Sequence, residues 1–176
     1  SNMGIRVDKV YVSYDTNGSY FSPQSVAVAH NCTGRWSGNF LNWALTQTID
    51  PLRYALTGGY RSVDTSNLTI LEKAWASGQG GTVVNASLAA SVANRAIITQ
   101  STPFNNLDGF TFRIRGLQNK FFFTSASGNV NNFATDGVVP ATVPANTTNV
   151  YEMFARVKVC DGALLEKNCT QYPLSL

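Results

Sequence analysis

The chain has 176 residues, enough for one domain with a sizeable core. Charged residues make up only 13% of it, against about 25% in an ordinary soluble domain, and Asn, Thr, Ser and Gly supply the polar positions instead. The net charge of +3 comes from scattered basic residues with no Lys/Arg run and no aromatic-interleaved stripe, so direct nucleic-acid binding by this segment is not expected. Ser1-Asn2, with Met3, reads as a cloning scar. No signal peptide and no membrane-length apolar run is visible. Residues 4–176 are therefore expected to be a single domain excised from something larger.

In chain order, Ile5–Val12 alternates and predicts a strand. Asp15-Thr16-Asn17-Gly18 predicts a turn, and Tyr20–His30 a loop or irregular strand. Ser37 is a candidate N-cap for the longest helical pattern. In it Leu41, Leu45, Ile49, Leu52 and Leu56 recur on one face, and Phe40 and Trp43 lie on a second. Asp50-Pro51 predicts a kink or break, and Gly58 a stop. Asp64-Thr65-Ser66 offers N-caps for a short second helix with Leu68, Leu71, Ala74 and Trp75 on one face. Residues 84–93, rich in Ala, suggest a third helix, and Ala96–Thr99 a short strand.

From Phe110 the pattern becomes β. Phe110, Phe112 and Ile114 point one way; Thr111, Arg113 and Arg115 point the other. A turn at 117–120 returns the chain through Phe121-Phe122-Phe123. Residues 125–149 form a long loop without periodicity, free to move or to wrap the sheet. Met153, Ala155, Val157 and Val159 alternate with polar residues in one strand leading to Cys160. The expected fold class is α+β: a helical first half packed on an antiparallel sheet from the second half.

The densest run of rare residues is Trp36-Ser37-Gly38-Asn39-Phe40-Leu41-Asn42-Trp43-Ala44. Ile49-Asp50, Leu52-Arg53, Leu56, Gly58-Gly59 and Arg61 follow it. This run resembles the N-terminal region of the PilC/PilY family, large secreted proteins at the tips of bacterial type IV pili that serve pilus assembly and adhesion. Val157-Lys158-Val159-Cys160, Leu165-Glu166, Asn168-Cys169 and Tyr172 resemble a second family signature just downstream of that region. The two stretches bracket most of the chain in the family's order. The resemblance implies an extracellular place at the cell surface or pilus tip. It implies minor pilins or the pilus tip complex as partners, with a host or surface receptor and, in competent bacteria, a part in DNA uptake. Many members carry a von Willebrand factor A-like domain in this region, so the segment is expected to elaborate such a domain.

Cys160 and Cys169 enclose a short polar loop whose spacing suits a local disulfide worth about 2–3 kcal/mol. Two reduced thiols are the alternative, and the resemblance to exported proteins favours the bridge. Cys32 is left over. Family members commonly carry another cysteine after a Tyr-Phe-Asp-Pro-like segment, but here Tyr20-Phe21-Ser22-Pro23 leads into Gln24-Ser25-Val26. Cys32 is then either buried and free or paired outside the chain.

Motifs for catalysis are few. A single histidine, His30, excludes a multi-histidine metal site. His30 and Cys32 are too close in sequence to face each other well as a nucleophile pair, and no third orienting group is identifiable. Gly78-Gln79-Gly80-Gly81 lacks the Lys-Ser/Thr of a phosphate loop and suits a linker. Asp15-Thr16-Asn17-Gly18-Ser19 approximates the metal motif of von Willebrand A domains, yet Asn17 replaces its first serine and the later ligands cannot be placed. No metal and no cofactor are expected. Trp36, Trp43 and the Phe110–Phe123 aromatics have core spacing. The candidate ligand contacts are Arg113 and Arg115, on one strand face, and Trp75 beside the glycine-rich segment. Loops such as 125–149 and Gly78–Gly81 are the expected ligand-facing parts. The expected function is that of a non-enzymatic module of a pilus tip protein, with a spacer or lid on a neighbouring domain as the alternative.

Overall fold

The computed structural model describes residues 10–15, 18–29, 31–47, 50, 56, 59–73, 86–115, 120–132, 139, 142–162 and 169. Its first strands form a hairpin, β1 (Val10–Asp15) with β2 (Tyr20–Val26). Asp15 makes the turn by accepting the Gly18 N–H at 3.0 Å, which is what Asp does at a turn. The segment expected to be loop or irregular strand is thus largely β2. Residues 5–9 of the first expected strand lie outside the described residues.

A short β3 (Trp36–Ser37) pairs with β1 and runs straight into α1 (Gly38–Leu45). Ser37 is the N-cap as the pattern predicts, accepting the Phe40 N–H at 3.3 Å. The helix ends at Leu45, a few residues before the break expected at Asp50-Pro51, and Asp50 and Leu56 are again helical. Thr46 turns to extended backbone. The Asp50 carboxylate accepts the Gln47 N–H at 2.7 Å while the Asp50 N–H donates to the Gln47 carbonyl at 2.9 Å. A local turn replaces the continuing helix ladder. Ile49 and Leu52 lie outside the described residues. Leu56 is 75% exposed, so it is not on a buried face.

The second expected helix is a β-hairpin instead, β4 (Tyr60–Asp64) with β5 (Thr69–Glu72). Its supposed N-cap residues make the turn. Thr65 exchanges bonds with Leu68, N–H to carbonyl at 2.9 Å and Leu68 N–H to Thr65 Oγ1 at 3.1 Å. Ala74 and Trp75 lie outside the described residues. The next two assignments are reversed: Ala86–Leu88 is a strand, β6, and Val92–Ser101 is a helix, α2. Ser91 decides this boundary by capping α2 through the Asn94 N–H at 3.1 Å. Then β7 (Phe110–Arg115) and β8 (Lys120–Thr124) form the hairpin that the aromatic alternation predicts.

The last expected strand is divided into β9 (Tyr151–Phe154) and β10 (Arg156–Val159), separated by the buried Ala155. Each belongs to a different sheet. Among the described residues one sheet has the order β3-β1-β2-β10-β5-β4 and the other β6-β7-β8-β9. All pairings are antiparallel except β2 with β10. Among the described residues the first half holds more strand than helix, so the expected helical first half is not confirmed. A single parallel pairing is also unlike a doubly wound sheet, so the topology does not confirm kinship with a von Willebrand A domain. The molecule is a small α/β domain with two described helices and one mixed and one antiparallel sheet.

Both sheets and both helices feed one core. Trp36 is its hub, meeting Phe21, Phe104, Phe110 and Phe123 edge-to-face with centroids 5.4–6.5 Å away. Such pairs add about 0.5–1.5 kcal/mol each beyond the area they bury. Phe21 of the six-stranded sheet stacks on Phe121 of the four-stranded one at 6.1 Å. Trp43, expected in the core, is 48% exposed and only leans on Phe40.

The outer face of the four-stranded sheet is also covered. Val130 and Val150 bury Phe122, and Val143 reaches the main core. The Thr147 carbonyl accepts from Ser125 Oγ at 2.7 Å and Thr124 Oγ1 at 3.3 Å. The described parts of 125–149 thus wrap the sheet and belong to the packed structure. Gly109 permits the approach: its φ is +72°, and an added Cβ would lie 2.8 Å from the Leu88 carbonyl and 2.5 Å from the Ala126 methyl.

One ion pair is fully interior. Lys73 Nζ lies 2.9 and 2.8 Å from the two Asp50 oxygens and 3.1 Å from Gln47 Oε1, and its side chain is 0% exposed. It ties the end of β5 to the turn after α1. Removing one partner of such a pair leaves a buried charge, whereas replacing both does not. Lys73→Met is expected to cost about 3–5 kcal/mol, and the Lys73→Met/Asp50→Leu double variant distinctly less. Urea unfolding of wild type and both variants checks this; equal losses in single and double variants would show that charge pairing is not the cause. Trp36→Ala should cost about 3–5 kcal/mol and Trp43→Ala under about 1 kcal/mol. Similar unfolding midpoints for the two would contradict the placement of Trp36 at the hub.

Candidate functional surface

The polar face of the β8–β9–β10 region is built around Phe154. Lys120 and Phe154 are cross-strand partners, and Arg156 follows at the start of β10. Lys120 Nζ sits 5.0 Å from the Phe154 ring centre and the Arg156 guanidinium 4.3 Å, one cation from β8 and one from β10 over one ring. Lys120 also pairs with Glu152 at 2.8 Å, and Arg156 Nε with Glu72. Lys158 pairs with Asp161 at 2.8 Å. Each of these cations has a carboxylate beside it, so the face is not a net positive patch for an anionic ligand.

This ladder marks where the chain passes from one sheet to the other. Phe154 N–H donates to Tyr14 Oη, at 3.1 Å, from the opposite sheet. Burial pushes the Tyr14 phenol pKa up; the Phe154 hydrogen bond, Ser19, Arg156 and Lys120 oppose that shift. The phenol therefore stays neutral and acts as a fixed hydrogen-bonding group. Lys120, Phe154 and Arg156 were not singled out by sequence reasoning. The available signal was Phe154 itself, an aromatic at a polar position of the alternation Glu152, Phe154, Arg156.

The structure places the sequence-predicted residues apart. Arg113 does not stand on a solvated strand face. It is 4% exposed beneath the 125–132 segment, with Nη1 donating to Asn131 Oδ1 at 2.6 Å. Arg115 lies on β7, but its side chain is outside the described residues, as are Trp75, Gly78–Gly81 and His30. Cys160 and Cys169 are joined in a disulfide. Cys160 follows β10 directly, with a left-handed φ of +57°. Cys32 is a free thiol, 2% exposed. Burial raises its pKa, with a Ser37 hydrogen bond opposing, which disfavours the nucleophilic thiolate.

Exposed apolar side chains among the described residues are Val26 and Val28 at and just after the end of β2, Leu56, Tyr60 on β4, Trp43 on α1, and Val92 and Ile97 on α2. Trp43 presents nearly half its surface on α1, steadied from behind by Phe40 at 5.5 Å. On α2, Val92 is 82% and Ile97 45% exposed. Among the described residues no group of three or more His, Cys, Asp or Glu is placed to hold a metal ion. Among them also, no helix is long and apolar enough to cross a membrane. The available chemistry at these surfaces is contact: ring faces, aliphatic groups and side-chain amides.

Comparison with known proteins agrees with the fold. The family model described as "PilY1 homolog, small alpha/beta domain" matches residues 8–136. A type IV pilus biogenesis factor PilY1 homolog of Xylella fastidiosa strain Temecula1 is 44% identical over 161 residues, 86% of this chain and 12% of that protein. A second protein of the same name and organism is 49% identical over 67 residues, 36% of this chain and 5% of that protein. The chain therefore spans a small part of the length of the curated relatives it matches. No solved structure matches. Since the matched residues make up most of the chain and the fold agrees with the family's description, the chain belongs to the family of PilY1-homolog small alpha/beta domains.

Proposed function

We propose that this domain is a non-enzymatic module of a type IV pilus biogenesis protein, acting by binding at the cell surface or pilus tip. The observation that carries the reading is the 44% identity, over most of the chain, to a protein named for type IV pilus biogenesis. The Cys160–Cys169 bridge supports an exported location, because disulfides persist in oxidising compartments. Pilus assembly and surface adhesion are the proposed roles, with DNA uptake in competent bacteria. Minor pilins or the pilus tip complex, together with a host or surface receptor, are the proposed partners.

Trp43 is the contact best suited to such a role among the described residues. It is an exposed ring on a rigid helix, and Asn39 stands one helical turn away, itself exposed. Arg115 and Trp75 are kept as proposed ligand contacts on sequence grounds. Arg113 is not, because its burial leaves it no route to a ligand. The described parts of 125–149 contribute scaffold, so recognition is assigned to α1 and to the surfaces beside it.

A chromosomal deletion of this domain in the native bacterium tests the role. Loss or sharp reduction of piliation, twitching motility, adhesion or DNA uptake is expected. If all four stay at wild-type levels while the truncated protein is still exported, the assignment fails. Trp43→Ala separates binding from folding. It should keep the melting temperature within a few degrees and weaken adhesion; unchanged adhesion would remove Trp43 from the proposed contact surface.

A further inference from the structure

The interior Lys73–Asp50 pair has the geometry of two reactants as well as that of an ion pair. Lys73 Nζ lies 2.9 Å from Asp50 Oδ1 and 2.8 Å from Oδ2, so it faces the carboxyl group as a whole and not one oxygen end-on. The two side chains are 0% and 4% exposed, which keeps bulk water from the contact. Gln47 holds both partners. Its backbone N–H donates to Asp50 Oδ2 at 2.7 Å, and its side-chain Oε1 accepts from Nζ at 3.1 Å. The Lys73 backbone is fixed in turn by its N–H on the Ala155 carbonyl at 3.0 Å. Two ions are costly to keep in such a place. A neutral secondary amide needs one donor for its carbonyl and one acceptor for its N–H, and Gln47 supplies both.

We propose that Lys73 and Asp50 condense in the folded protein, forming a side-chain amide (isopeptide) bond between Nζ and Cγ. The atoms balance without a co-reactant. A proton passes from the ammonium to Oδ1, giving an amine and a carboxylic acid, the uncharged forms that a water-poor site favours. The Nζ lone pair attacks Cγ, and the Gln47 N–H stabilises the negative charge that gathers on Oδ2. A second proton moves from the nitrogen to Oδ1, the Cγ–Oδ1 bond breaks, and one water leaves. Fixed contact supplies the rate, because groups held in reacting geometry behave as if at very high concentration. The bond closes the base of the β4–β5 hairpin: Asp50 precedes β4, and Lys73 follows β5 directly, 23 positions further on. The Lys73→Met and Lys73→Met/Asp50→Leu variants both lack it, so their difference still reports the unpaired buried charge. This inference does not depend on the pilus role.

Mass spectrometry of the reduced 176-residue chain is the test. The intact mass should lie one water below that of the sequence. Digestion should release one branched peptide that joins the Asp50 and Lys73 segments, uncut by trypsin after Lys73. Lys73→Arg keeps a cation beside Asp50 but removes the amine, and should have its full sequence mass. Chain produced and kept in urea should also have the full mass, and should lose one water on refolding. A wild-type mass equal to that of the sequence, with Lys73 in a linear peptide, overturns the inference. So does a lost water that maps to Asp108-Gly109 or Asp161-Gly162, since an Asp–Gly step can close to a succinimide by itself. A branched peptide already present in chain that has never folded overturns it too, because the reaction then owes nothing to the folded geometry.

Discussion

The fold depends on one nine-residue path, Tyr151 to Val159. Its first strand closes the edge of the four-stranded sheet, and its second runs through the middle of the six-stranded sheet, flanked by β2 and β5. Strand alternation continues across the break: Tyr151, Met153, Ala155, Val157 and Val159 are all buried, and the residues between them are less so. Because the side-chain period is two, slipping either sheet by one residue would turn this whole set out of the core. The sheets therefore fix each other's register. Ala155 must be small and buried at the crossing, where its carbonyl also accepts the Lys73 N–H at 3.0 Å. The Lys120–Phe154–Arg156 ladder and the Tyr14 hydrogen bond hold the same crossing from outside.

Much of this was legible where one physical signal acted alone. Ser37 followed by an apolar helical run, and Phe110, Phe112 and Ile114 in strict alternation, have no competing interpretation. The misreadings occurred where a residue type serves two structures. Asp64, Thr65 and Ser66 cap helices and make hairpin turns by the same hydrogen-bonding habit, and only pairing with β10 decides between them. The alanine-rich 84–93 segment looks helical by propensity, yet Ala86–Leu88 is held as a strand by β7, and the helix waits for Ser91. The membership in a pilus-associated family was also visible in the tryptophan-rich run, since that run forms the β3–α1 junction at the hub of the core.

The candidate site was less legible, for a specific reason. Arg113 has the strand parity of a solvent-facing residue, but parity says which side of a sheet a residue is on, not whether that side is wet. Three consecutive aromatics, Phe121-Phe122-Phe123, were the clue that both faces are covered, because a half-exposed strand would not place Phe122 outward. Trp43 is an error of the opposite sign. Helical spacing identifies an apolar face and cannot show that nothing in the same domain covers it.

Charge use ties the scaffold to its surface. The chain has few charged residues, and several of those described are spent on joining elements: Lys73 to Asp50, Arg156 to Glu72, Lys120 to Glu152, Arg95 to Asp108. What faces outward between them is largely amide, hydroxyl and aliphatic. Such a surface gains little from long-range electrostatic steering, so association through it has to rest on shape and on apolar contact at short range. Trp43, a half-exposed ring held on α1 by Phe40, offers contact of that kind.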